Sequence, residues 1–254
     1  MTPFYLYFAF EKNIFYFFLV YARVAVVFFI LPVFGSRVLS NVLVKNAIIT
    51  LTIIGLWPIF DFSLIDTHNK IFLICNEALI GTVLALIACI PFWVASAIGE
   101  LIDNQRGATI SDSIDPVHGI QSSIFSGMLT LFYGALFFSM GGGISIITIL
   151  SDSYMLFPLG AGLSKIHWAE AGLLLDNLIK ASIILASPVM MVMMFSEILL
   201  GILSKYCPQL NPFSLSLTVK SILAFSMFLL YGFYAIEQKH FNIYPLDTIK
   251  YFLS

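Results

Sequence analysis

Hydrophobic residues gather into six long runs, at about 13–34, 47–60, 71–99, 120–150, 172–204 and 214–236. Polar or turn-rich connectors separate them, at 35–46, 61–70, 100–119, 151–171 and 205–213. Each long run exceeds the length of an ordinary strand, and lipid tolerates no open sheet edge. A helix satisfies its backbone within the segment, so the pattern predicts an all-α, hydrophobic, multi-helix protein. No low-complexity tail, globular insert or long linker interrupts it, so 1–254 reads as a single unit.

Composition sharpens this picture. Hydrophobic residues make up 60% of the chain and charged residues only 10%. Twelve basic and 14 acidic side chains are too few to cover a water-facing body of 28.3 kDa. Mean hydropathy is +0.99. A soluble enzyme and a disordered chain fit poorly. A net charge of −2 offers no basic field for phosphates, so no nucleic-acid partner is expected. Membrane lipid is an expected partner. The first run is interrupted by Arg23 and lacks a small-x-small cleavage pattern, so it reads as a retained segment.

The placement of charge says more than its amount. Only 78–99 and 116–151 are free of Asp, Glu, Lys and Arg for the length of a bilayer span. The second can hold two helices, broken at Gly141-Gly142-Gly143. The 47–60 run is short for a span. The others carry Arg23, Glu77, Lys180, Glu197 or Lys220 within or at their edges. Such groups cost at least a few kcal/mol each in lipid, about 2.5–3.5 on insertion scales. They are expected to face protein or a polar lumen. Basic residues show no excess in alternate connectors, so charge bias fixes no topology.

Candidate chemistry is sparse. Cys75, Cys89 and Cys207 have neither metal-ligand spacing nor a disulfide framework. No cofactor motif is present, and the triple glycine lacks the Lys and Ser/Thr of a phosphate loop. The polar connector 100–119 holds Glu100, Asp103, Asp112, Asp115, Arg106 and His118. Their spacing matches no catalytic or metal template, and Gly107 and Asp115-Pro116 are turn chemistry. A solvated or lumen-lining loop fits better. Glu77-Ala-Leu-Ile-Gly81 is echoed by Glu197-Ile-Leu-Leu-Gly201, with Glu and Gly on one helix face in each. The segment Ser204-Lys-Tyr-Cys-Pro-Gln-Leu-Asn-Pro-Phe213 reads as a tight connector between two long helices.

These segments resemble the type III secretion export-apparatus family of SctT and SpaR, related to flagellar FliR. The matching blocks include Leu31-Pro-Val-Phe-Gly35, Pro91-Phe-Trp93, Asp103-Asn-Gln-Arg-Gly-Ala-Thr109, Ser113-Ile-Asp-Pro116, Ala186-Ser-Pro-Val189, Ser196-Glu197, Pro208-Gln-Leu-Asn211 and Ser214–Lys220. The likeness runs through about 14–225. Relatives often have Arg-Phe-Ala where this chain has Lys205-Tyr206-Cys207.

The resemblance implies a non-enzymatic subunit of an inner-membrane export gate without cofactors. It implies SctR-like helices followed by an SctS-like helical hairpin. The implied partners are SctR-like and SctS-like subunits, an SctU-like switch protein and secreted polypeptides in transit. It also implies a channel plug at Asn104, Gln105, Arg106, Gly107, Ala108, Thr109, Asp112, Asp115 and Pro116. Glu77, Gly81, Glu197, Gly201, Lys205, Pro208, Gln209, Asn211 and Lys220 are expected as packing or inter-subunit anchors. The rival reading is an ion-coupled secondary transporter using Glu77 and Glu197; a membrane enzyme built on the loop carboxylates and His118 is a further rival.

Overall fold

A computed structural model describes residues 3–35, 38–60, 69–107, 123–160, 168–207, 212–232 and 234–235. Every regular element among them is helical. Helices α1 (Pro3–Ile30), α2 (Val42–Leu56), α3 (Lys70–Arg106), α4 (Ile124–Ser139), α5 (Gly142–Leu156), α6 (Trp168–Tyr206) and α7 (Pro212–Met227) follow in chain order. Short 3-10 turns at Pro32–Phe34 and Trp57–Ile59 follow α1 and α2, and a π-helical turn, Phe228–Gly232, extends α7.

The sequence explains most boundaries. Asn41 caps α2, its side chain accepting from the Leu43 N–H at 2.9 Å. Pro32 and Pro58 sit in the first turns of the 3-10 segments, where a missing N–H costs nothing. Gly141, at φ +82°, makes the break between α4 and α5 in a left-handed conformation suited to glycine. Pro91 and Pro188 lie inside α3 and α6, which continue through them.

Two boundaries differ from expectation. The 47–60 run is not a short piece: its helix starts at Val42 and, with the following turn, makes an apolar segment of 18 residues, Val42–Ile59. The charge that hides this is Lys45, which is buried with its ammonium 4.7 Å from the Phe29 ring centre. The polar stretch after Gly99 does not begin a loop either. α3 runs on to Arg106, because Glu-Leu-Ile-Asp-Asn-Gln contains no helix breaker and both Ile102 and Asp103 are buried.

Five helical segments have the length and apolar character of membrane spans: Phe10–Ile30, Val42–Ile59, Lys70–Arg106, Leu175–Tyr206 and Leu215–Gly232. A sixth arises if α4 and α5 are one broken span.

The helices form two compact units. The first takes described residues within Met1–Ile90 and Phe138–Gly172, and the second those within Pro91–Phe137 and Leu173–Asn242. In the first, Leu19, Val24, Ile49, Ile53, Ile80 and Leu150 are completely buried. In the second, Phe92 meets Tyr133 edge-on at 5.0 Å, and Phe125 packs on Phe225 and Phe228 at 4.7 and 5.3 Å.

Candidate functional site

The first unit holds a buried ion cluster. Arg23 enters from α1 and Glu77 from α3, and both are 0% exposed. The Arg23 Nε donates to Glu77 Oε2 at 2.7 Å, and its Nη2 lies 2.6 Å from the same oxygen. The other guanidinium donors reach the Ser153 carbonyl and the Phe157 carbonyl, both at 3.1 Å. The second Glu77 oxygen accepts from the Gly160 N–H at 3.1 Å. The Tyr154 ring lies under the guanidinium, 4.1 Å from its carbon. Charge and hydrogen-bonding capacity are therefore met inside the chain, as burial demands.

Gly81 makes that geometry possible. A Cβ there would lie 2.5 Å from the Arg23 carbonyl oxygen and 3.1 Å from its Cα. The backbones of α1 and α3 touch at this point, one turn from Glu77. Glu77 and Gly81 thus act together, one supplying the charge and the other the close approach.

The second unit holds the end of α3. Arg106 Nε donates to Asp103 Oδ1 at 2.5 Å, and its guanidinium carbon is 5.9 Å from the Phe225 ring centre. Asn104 is exposed and Gln105 half-buried. Gly107, at φ +78°, terminates the helix, its N–H donating to the Asn104 carbonyl at 3.1 Å. Lys220, from α7, is only 6% exposed. Its ammonium donates to the Gln105 carbonyl at 3.4 Å and lies 2.7 Å from Glu197 Oε2 on α6. One lysine therefore joins the last turn of α3 to the α6–α7 pair.

The family of bacterial export proteins, family 1, matches this chain over residues 14–240. The chain belongs to that family. It is 39% identical over 214 residues to the surface presentation of antigens protein SpaR of Salmonella typhimurium, covering 83% of this chain and 80% of SpaR. It is 28% identical over 210 residues to the Yop proteins translocation protein T of Yersinia pestis, covering 80% of each. It is 27% identical over 205 residues to the flagellar biosynthetic protein FliR of Pectobacterium carotovorum, covering 78% of this chain and 76% of FliR.

In this member of the export family, the anticipated site residues fall in several places. Glu77 and Gly81 belong to the buried cluster. Asn104, Gln105, Arg106, Glu197 and Lys220 surround the end of α3, and Gly107 closes it. Asn104, Gln105 and Arg106 are helical rather than part of a loop. Among the described residues nothing lies within 4 Å of a Cβ at Gly201, and Lys205 is exposed. Ala108, Thr109, Asp112, Asp115, Pro116, Pro208, Gln209 and Asn211 lie outside the described residues, as does His118.

Sequence reasoning missed Ser153, the Phe157 carbonyl and Gly160 as partners of the buried pair. The available signal was Arg23, a lone cation within a long apolar run that had to find an anion. All five charges flagged as costly in lipid have an oppositely charged neighbour within the chain. Arg23 pairs with Glu77, Lys220 with Glu197, and Lys180 with Asp176.

Proposed function

We propose that this chain is a membrane-embedded subunit of a type III secretion export apparatus, built into the inner-membrane channel through which unfolded polypeptides leave. The observation that carries this reading is the family match over nearly the whole chain, together with relatives named for antigen presentation and Yop translocation. The apolar exterior agrees with it. Leu43, Leu51, Ile54, Phe195, Leu199 and Ile222 are all strongly exposed on their helices. Such surfaces suit lipid and neighbouring apolar helices. The partners in this reading are SctR-like and SctS-like subunits and an SctU-like switch protein.

Within that function, the stretch from Asn104 through Pro116 acts as the channel plug. Glu197, Gly201, Lys205 and the following Pro208, Gln209 and Asn211 form contacts to other subunits. Glu197 supports this role, since its side chain remains 54% exposed while paired. A half-exposed carboxylate on an apolar helix suits a polar protein neighbour better than lipid. The transporter reading requires Glu77 to exchange an ion with water. Both Glu77 oxygens are already occupied and the side chain has no exposure.

Two experiments test the proposal. An in-frame deletion of the chain abolishes secretion through its system, and a plasmid copy restores it. Arg106→Ala raises ion conductance across membranes containing the assembled apparatus. Normal secretion without the chain contradicts the subunit reading, and unchanged conductance contradicts the plug.

A further inference from the structure

Asp103 sits at the end of α3, 1% exposed, and its two carboxylate oxygens are used differently. Oδ1 holds Arg106 on its own helix. Oδ2 faces the beginning of α4, twenty and more residues later in the sequence. There it accepts from the Ser123 hydroxyl and from the Phe125 N–H, the latter at 2.9 Å. The Ser123 hydroxyl oxygen in turn accepts from the Ser126 N–H at 3.1 Å. Asp103 and Ser123 together therefore satisfy two of the free N–H groups at the start of α4. The negative carboxylate also suits the positive end of that helix.

Two further sets of contacts hold the same corner. At Gly99, one turn before Asp103, a Cβ would overlap the Ser126 backbone, so α3 and α4 touch there. Ser96 and Ser126 share a hydroxyl–hydroxyl hydrogen bond of 2.7 Å beside that contact. Lys220 also holds the α3 terminus, through the Gln105 carbonyl.

From this geometry we infer that Asp103 is a positioning residue that ties the end of α3 to the start of α4, with Lys220 as a second tie on the α3 terminus. The two ends of the intervening chain, at Gly107 and Ser123, are thereby fixed to one another. Asp103 itself forms no part of the plug; it sets where the two ends of the segment that carries most of the plug stand. The tie rests on the hydrogen bonds above, whereas its consequence for conductance rests on the proposed plug.

The test uses the full chain in its purified complex. Exposed Cys75 and Cys207 are replaced by serine, and spin labels are placed at Glu100 and Ile124, both exposed. The parent gives one narrow distance distribution. Asp103→Leu broadens it, with the detached population rising by about ten- to a hundredfold, as expected for loss of a charge-assisted hydrogen bond. Asp103→Asn keeps an acceptor for α4 and restores most of the narrow distribution. Ser123→Ala, which removes only a hydroxyl, broadens it partly and serves if Asp103→Leu does not accumulate. Lys220→Met adds a smaller broadening that Lys220→Arg reverses. An unchanged distribution in both Asp103→Leu and Ser123→Ala overturns the tie. Conductance is read on the same samples. Broadening with raised leak supports tie and plug together; broadening without leak supports the tie and overturns the plug.

Discussion

The chain carries the pattern Glu-x-x-x-Gly twice, and its two units treat the copies in opposite ways. Glu77 is completely buried, held by Arg23 and the Gly160 N–H, and Gly81 lies against the α1 backbone. Among the described residues, Glu197 is half-exposed and paired with Lys220, and nothing lies within 4 Å of a Cβ at Gly201. The spacing puts Glu and Gly on one helix face in both. What differs is the neighbour: a backbone pressed against the glycine in one case and open surface in the other. A short motif therefore fixes a face, and the fold decides whether that face is filled from within the chain or left for something outside it.

Substitutions can break this contrast, and their expected effects run from large to small. Arg23→Met strands the Glu77 carboxylate in the core and costs about 3–5 kcal/mol, read as a lower thermal midpoint of the purified complex in detergent. Combining Arg23→Met with Glu77→Leu costs less than the sum, since neither charge is then orphaned. Gly81→Ala forces α1 and α3 apart and costs about 1–3 kcal/mol in the same assay. Glu197→Ala changes the chain's own stability by only about 0–1 kcal/mol, because the pair is half in solvent. Its effect falls on recovery of partner subunits and on secretion. Intact assembly and secretion in Glu197→Ala contradict its role as an inter-subunit anchor. Gly201→Ala raises intrinsic helix stability by about 0.5–1 kcal/mol where no neighbour opposes it. Loss of partner binding in that variant places another subunit against Gly201.

The helices were largely legible because their apolar runs are long and their connectors polar. The failures have physical causes. Lys45 made α2 look too short, since a buried lysine whose ammonium sits over the Phe29 ring is indistinguishable by type from a solvated one. The residues after Gly99 read as a loop by polarity alone, which does not reveal which side chains turn inward. Asp103 turns inward, and its partners Ser123 and Phe125 stand at the start of the next helix. The Arg23 cluster was legible only as a need. Its partners stand 54 to 134 residues away, and two are backbone carbonyls that carry no sequence signature. Membership of the export family was legible at the Asp-Asn-Gln-Arg-Gly-Ala-Thr block, whose last two residues, Ala108 and Thr109, fall outside the described residues.

The central claim is that this chain works as one subunit of a larger export assembly. Its most direct test is the native mass of the particle extracted from bacterial membranes in mild detergent. The account predicts a single large complex of this chain with smaller, helical, apolar partners, and little free chain. A stable, monodisperse particle of 28.3 kDa protein mass, with no partner bound, would contradict it.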